Sequence, residues 1–178
     1  IKLDDLLIGD KNAIMVAARI LGYGKKYQFN YDGVEQEVDL TTLEPFNIDV
    51  KKFTKGQNKF DYTLPNSERT IEFKLLTGMD EKRIDAEIKA REKLTKEQSS
   101  ELTTRLKHMI LSVDGKTEKS YINNFVDNEF LSLDSLEFRK YLTSITPDVD
   151  MSTTIMGSDG KELEVTIPVT VRFFWPNT

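Results

Sequence analysis

The chain has 178 residues, 38% of them hydrophobic and 31% charged, with a formal net charge of -5 and no cysteine. That length suits one domain with a sizeable core, and the composition is that of a globular protein. The acidic balance argues against a nucleic-acid surface, no apolar run approaches the ~20 residues of a membrane helix, and without cysteine there is no disulfide, thiol nucleophile or cysteine-ligated zinc. The first residue is Ile1 rather than Met, so the native start is expected to lie outside this sequence.

In chain order, Ile1 to Ile8 alternates imperfectly and reads as a strand or an ordered lead-in. Asp10 is placed to cap a helix carrying Ile14, Met15, Ala17, Ala18 and Leu21, which Gly22 or Gly24 ends. Tyr27 to Phe29, an Asp32-Gly33 turn and Val34 to Leu40 predict a hairpin, and Leu43-Glu44-Pro45 breaks the pattern. Phe60 to Leu64 and Thr70 to Leu76 alternate with period two about Pro65-Asn66-Ser67, a second hairpin.

Asp80 then opens a highly charged helix from Glu81 to Leu94 whose main apolar anchors are Ile84 and Ile88. So polar a helix is expected to be exposed, or covered by a partner. After Lys96 to Ser100, a second helix carries Leu102, Leu106, Met109, Ile110 and Val113 and stops at Asp114-Gly115. A third holds Tyr121, Ile122, Phe125 and Val126, and a fourth starts at Asp134, with Glu137 completing a capping box, and ends before Pro147. A last hairpin follows, and the chain closes on Phe173-Phe174-Trp175-Pro176.

The two terminal hairpins share a motif. Asp32-Gly33-Val34-Glu35-Gln36-Glu37-Val38 and Asp159-Gly160-Lys161-Glu162-Leu163-Glu164-Val165 both read D-G-x-E-x-E-V. The expected fold class is α+β: a helical bundle over 80–146 with antiparallel hairpins, two of them, 26–40 and 150–168, forming one module of a single domain over 1–178.

Little in the sequence points to a reaction. The single histidine, His108, lies beside an apolar helical stripe, and a boundary position explains it more simply than catalysis. No nucleophile elbow, phosphate loop or dinucleotide fingerprint occurs, and Gly22-Tyr23-Gly24 reads as a helix terminator. Asp148, Asp150, Ser152 and Thr154 have the oxygen spacing of half a calcium loop, but Thr153 stands where the loop needs glycine. A metal-dependent hydrolase using Asp148, Asp150 and Asp159 is the weakest of the readings. Glu35 with Glu37 and Glu162 with Glu164 lie at i and i+2 on strand faces, where solvation is the simpler account. No catalytic residue, metal or cofactor is expected. Three consecutive aromatics at the end need burial, in the chain's own core or in a partner.

Taken in order, several short motifs resemble the baseplate hub assembly proteins of T-even-like contractile-tailed bacteriophages. They are Asp10-Lys11, Arg19, Tyr23-Gly24 and Tyr27, then Leu75-Leu76-Thr77-Gly78 with Asp80-Glu81. Leu102 to Leu106, Ser112 to Gly115 and Pro168 to Pro176 complete the series. Many relatives look as if they carry zinc-ribbon knuckles, C-P-x-C-G, in the terminal hairpins. This chain departs from that pattern, with Met156 and Asp159 at the cysteine positions of the second knuckle and a shortened first turn at Tyr31-Asp32-Gly33. Metal-free turns are therefore expected in place of zinc sites.

The resemblance implies a non-enzymatic, chaperone-like assembly factor that binds hub or tape-measure proteins in the host cell cytoplasm, or else a permanent subunit of the virion baseplate. No nucleic acid, membrane or small-molecule partner is implied. The partner contacts expected are Phe173, Phe174 and Trp175 of the tail, with Ile84 and Ile88 of the charged helix.

Overall fold

The computed structural model describes residues 2–49, 51, 53–95, 101–157 and 160–175. In chain order, a 3-10 turn at Leu3–Asp5 leads to α1 (Ile8–Tyr23), β1 (Lys26–Tyr31) and β2 (Val34–Asp39). A second 3-10 turn (Leu40–Thr42) precedes β3 (Phe60–Thr63) and β4 (Thr70–Phe73). Then come α2 (Gly78–Thr95), α3 (Glu101–Met109), β5 (Ile110–Val113) and α4 (Lys119–Asn124), which runs into a π turn at Phe125–Glu129. The chain finishes with α5 (Ser132–Ile145), β6 (Ser152–Met156), β7 (Glu162–Thr166) and a single turn, α6 (Val171–Phe174). These elements form two compact units: Ile1–Ile8 with Ile48–Thr146, and Gly9–Asn47 with Pro147–Thr178. The hairpin module read from the sequence falls in the second unit and the helical part in the first.

The first unit is built on the antiparallel sheet β3-β4-β5, in which Phe60 faces Phe73 and Ile71 faces Val113. Its core gathers Ile71 and Phe73 with Leu106, Ile122, Phe125, Phe138 and Ile145 from the helices. Phe73 meets Phe138 edge-on at 4.9 Å, and Tyr62 stacks on Tyr141 at 4.6 Å. Antiparallel hairpins and an α+β class are as the alternation predicts. The helical bundle is corrected, because β5 interrupts it and the central sheet shares its core. The stripe from Leu102 to Val113 is helical only to Met109, and Ile110–Val113 is a strand. Four residues fit either period, and the apolar edge offered by β4 decides for the strand.

Two predicted caps are also corrected. The charged helix begins at Gly78, and its capping box is Thr77 with Asp80: Thr77 Oγ1 accepts the Asp80 N–H at 3.3 Å, and Asp80 Oδ2 accepts the Thr77 N–H at 3.1 Å. Asp134 does not open α5, which starts two residues earlier. Its wholly buried carboxylate accepts the backbone N–H groups of Asn66 and Ser67 at 2.8 and 3.0 Å and the Asn66 amide at 2.8 Å. It clamps the β3–β4 turn. The predicted break at 96–100 lies outside the described residues.

In the second unit, α1 begins at Ile8, so Asp10 sits within its first turn, where a negative charge complements the helix dipole. The Gly24 N–H still bonds the Ile20 carbonyl at 2.9 Å, and its φ of 83°, open to glycine, then turns the chain out of the helix. Asp32 and Gly33 both take positive φ, 49° and 80°, giving the two-residue turn that brings Tyr31 opposite Val34. The second hairpin differs. Met156 pairs with Glu162 across a five-residue connection, and Asp159 lies outside the described residues. Even so, the closing valine of the motif, Val38 or Val165, is buried in both hairpins while the paired glutamates face outward. With Val16, Tyr27, Phe29, Leu40, Ile155, Ile167 and Phe173 these valines form the core of the unit. Residues 44–46 and 148–150 are stitched together, Phe46 N–H to Asp148 O at 2.9 Å and Asp150 N–H to Glu44 O at 2.8 Å.

Candidate functional site

In the second unit the sequence motifs and the fold assemble a side-chain constellation centred on Arg19. Helical spacing places Arg19 on the inward face of α1, three residues after Val16, where it keeps 3% of its exposure. Its Nη1 donates to Gly24 O at 2.9 Å and its Nη2 to Lys26 O at 3.1 Å, so the guanidinium holds the helix end against the start of β1. The Nε is buried and without a partner. Three rings surround the cation, Tyr23 at 5.3 Å, Tyr27 at 5.7 Å and Phe173 at 6.0 Å. Buried cation–π contacts of this kind contribute about 2 kcal/mol.

The tail aromatics join this group in sequence. Phe173 meets Tyr27 edge-on at 4.9 Å, Phe174 meets Phe173 at 5.1 Å, and Trp175 meets Phe174 at 6.3 Å. Tyr27 donates its hydroxyl to Pro168 O at 2.9 Å, which fixes the approach to the tail. Of the expected partner anchors, Phe173 is therefore corrected: it is wholly buried and belongs to the core. Phe174 is half-buried, and Trp175 is 57% exposed. In the first unit Ile84 is likewise corrected, since it is wholly buried on α2, while Ile88 is half-buried. The helix anchors and the tail anchors belong to different units.

A cleft of about 470 Å³ opens beside Arg19, lined by Tyr23 and Arg172 and by Lys26, Gln28, Glu35 and Glu37 of the first hairpin. Lys26 bonds Glu37 at 2.6 Å and Gln28 adds a second donor at 3.2 Å. The hydrogen bond from Lys26 holds the Glu37 carboxyl below its ordinary range, and the same bond raises the Lys26 amine. Both stay charged at neutral pH, so neither serves as a proton shuttle. Next to them Asp39 is lowered to about 2 by hydrogen bonds from Lys25 and Thr41. The cleft is lined by charged side chains beside the rings of Tyr23 and Tyr27.

The residues read as half a calcium loop act as backbone anchors. Asp148 Oδ1 accepts from Asn12 Nδ2 at 3.0 Å and from the Val149 N–H at 2.8 Å, and Asp150 accepts the Ser152 N–H at 2.9 Å. Among the described residues no three His, Cys, Asp or Glu side chains are grouped to hold a metal ion. His108 bonds Glu87 at 2.9 Å between α3 and α2. Among the described residues no helix is long and apolar enough to cross a membrane.

Sequence reading missed the central role of Arg19, since a lone arginine in an apolar helix carries no spacing signal. Its position three residues after Val16, on the face opposite Leu21, was the available clue. No family model matches the chain, and no curated protein or solved structure matches it either.

Proposed function

We propose that this protein is a non-enzymatic assembly factor of a contractile phage tail, binding baseplate hub or tape-measure proteins in the host cell cytoplasm. The observation that carries this reading is the ordered series of motifs running from Asp10-Lys11 to the aromatic tail, similar to the baseplate hub assembly proteins. In support, the Arg19 cleft offers charged and aromatic side chains without a nucleophile–base pair, as a recognition surface would. The same reading takes the terminal hairpins as metal-free counterparts of zinc-ribbon knuckles, supported by the shared D-G-x-E-x-E-V and the buried valine closing each copy. Trp175, with Phe174 beneath it, is the contact assigned to the partner on the tail side, and Ile88 on α2.

Co-expression with the hub and tape-measure proteins of the same phage tests the proposal. A tail protein should co-purify with the chain, and Trp175→Ala should weaken that complex by about 2 kcal/mol, the scale of an aromatic hot spot. Failure of every tail protein to co-purify overturns the reading.

A further inference from the structure

Arg19 is a buried cation without a counterion. A guanidinium cannot shed its proton in a protein, and a buried charge is normally paired with an opposite one. Arg19 keeps 3% of its exposure, yet among the described residues no carboxylate forms an ion pair with it. Its acceptors are the carbonyls of Gly24 and Lys26, and its Nε is left buried and unbonded. These carbonyls and the surrounding rings offset part of the cost of burial, but none of them carries a net charge.

The two carboxylates that line the same cleft, Glu35 and Glu37, do not fill that role. Glu37 is taken by Lys26 at 2.6 Å and by Gln28 at 3.2 Å. Glu35 stands opposite the neutral Asn30 and forms no ion pair among the described residues. A second guanidinium, Arg172 on α6, also lines the cleft; it is exposed and has no ion pair among the described residues. With Lys26 and Glu37 neutralising each other, Arg19 and Arg172 face Glu35 with one positive charge in excess, in a chain whose net charge is -5.

That excess selects the ligand. One carboxylate balances it, whereas a phosphate dianion would overshoot it and share the cleft with two like-charged glutamates. A planar carboxylate also matches the forked donors of arginine. The cleft, at about 470 Å³, is of the size that holds a small ligand, so there is room beside the rings of Tyr23 and Tyr27 for the rest of the molecule that carries the group.

We propose that the Arg19 cleft binds a single carboxylate group, with Arg19 as the fixed charge of its wall and the exposed Arg172 as the second guanidinium. The group is supplied by an acidic side chain of a protein partner or by a free small acid. The inference rests on the reading of this cleft as a recognition surface, but its test needs no tail protein, so failed co-purification and failed carboxylate binding are separate results.

The isotope-labelled chain is titrated with propionate and with the blocked tetrapeptide acetyl-Ala-Glu-Ala-Ala-amide, and the side-chain Nε–H signals of Arg19 and Arg172 are followed by NMR. At least one of the two should shift both signals at millimolar concentration, while the same peptide with Gln in place of Glu shifts neither. Tighter binding of the peptide assigns the site to a partner's acidic side chain, and equal or tighter binding of propionate assigns it to a free acid. Arg172→Gln should weaken binding about tenfold, the scale of a charge-assisted hydrogen bond. Glu35→Gln should strengthen it about threefold by removing a like charge, a gain that a merely structural glutamate would not give. Absence of shifts with both carboxylates, equal shifts with the Gln peptide, or unchanged affinity in either variant overturns the proposal. Tighter binding of inorganic phosphate than of both carboxylates overturns it as well.

Discussion

Gly9 and Asp134 show how single residues set the shape of the chain here. A Cβ on Gly9 would lie 1.7 Å from the carbonyl oxygen of Pro147 and 2.7 Å from Asp148 Cα, both backbone atoms that cannot step aside. Gly9→Ala should therefore lower the stability of the second unit by roughly 3 kcal/mol, the upper end for forcing a methyl into filled space. Chemical denaturation followed by Trp175 fluorescence measures it. Asp134 works through charge. Burial would raise its carboxyl, but the donors of Ser67 and Asn66 outweigh burial and hold it below the ordinary range. A carboxyl lowered by folding contributes stability that is complete above its unfolded value near 4 and is lost as pH falls toward its folded one. Asp134→Asn should cost about 2 kcal/mol at pH 7, within the range for charged hydrogen bonds, and should flatten the loss of stability below about pH 4. Parallel urea titrations of the parent and the variant at both pH values read both effects.

Elements were legible where period and turn chemistry agreed. The first hairpin, the central hairpin and the ends of α1 and α5 at Gly24 and Pro147 follow from Asp-Gly, Pro-Asn-Ser and proline signals that act within a few residues. What was hidden is tertiary. Ile110–Val113 continues a helical stripe and becomes a strand only because β4 offers it an edge. Asp134 has the spacing of a cap but serves a turn 68 residues earlier in the chain. Arg19 stood in the series of short motifs but with no role attached, and its place at the centre of the candidate site emerged only from the packing around it. The cap of α2 is a local signal that was misplaced by three residues. Since Thr77 and Asp80 exchange hydrogen bonds, Thr77→Ala should destabilise the first unit by about 1 kcal/mol. Amide exchange should then quicken first at the N-terminus of α2; unchanged protection there would show that the box contributes nothing.

At the scale of the molecule, each unit has its own apolar core, one centred on Phe73 and Phe138 and the other on Tyr27 and Phe173. Phe173→Ala should cost about 4 kcal/mol, the scale of emptying a buried aromatic site. The loss should appear in the amide protection of β1, β2, β6 and β7. Protection of Ile71, Phe73 and Val113 should stay at parent values, and a matched loss there would mean that the two cores unfold as one.

The division of the chain also fixes an order in time. The first unit takes its sheet and helices from the unbroken stretch Ile48–Thr146, whereas the second joins Gly9–Asn47 to Pro147–Thr178. Tyr27 meets its acceptor at Pro168 only after 141 further residues have been synthesised. Contacts that distant carry the largest loop-closure entropy and form last. During translation the first hairpin must wait, its apolar face unpaired, until the final strands leave the ribosome. Chains stalled before β6 should accordingly protect the first core from protease while leaving Tyr27 and Phe29 open to cleavage, and early protection of both rings would reverse that order.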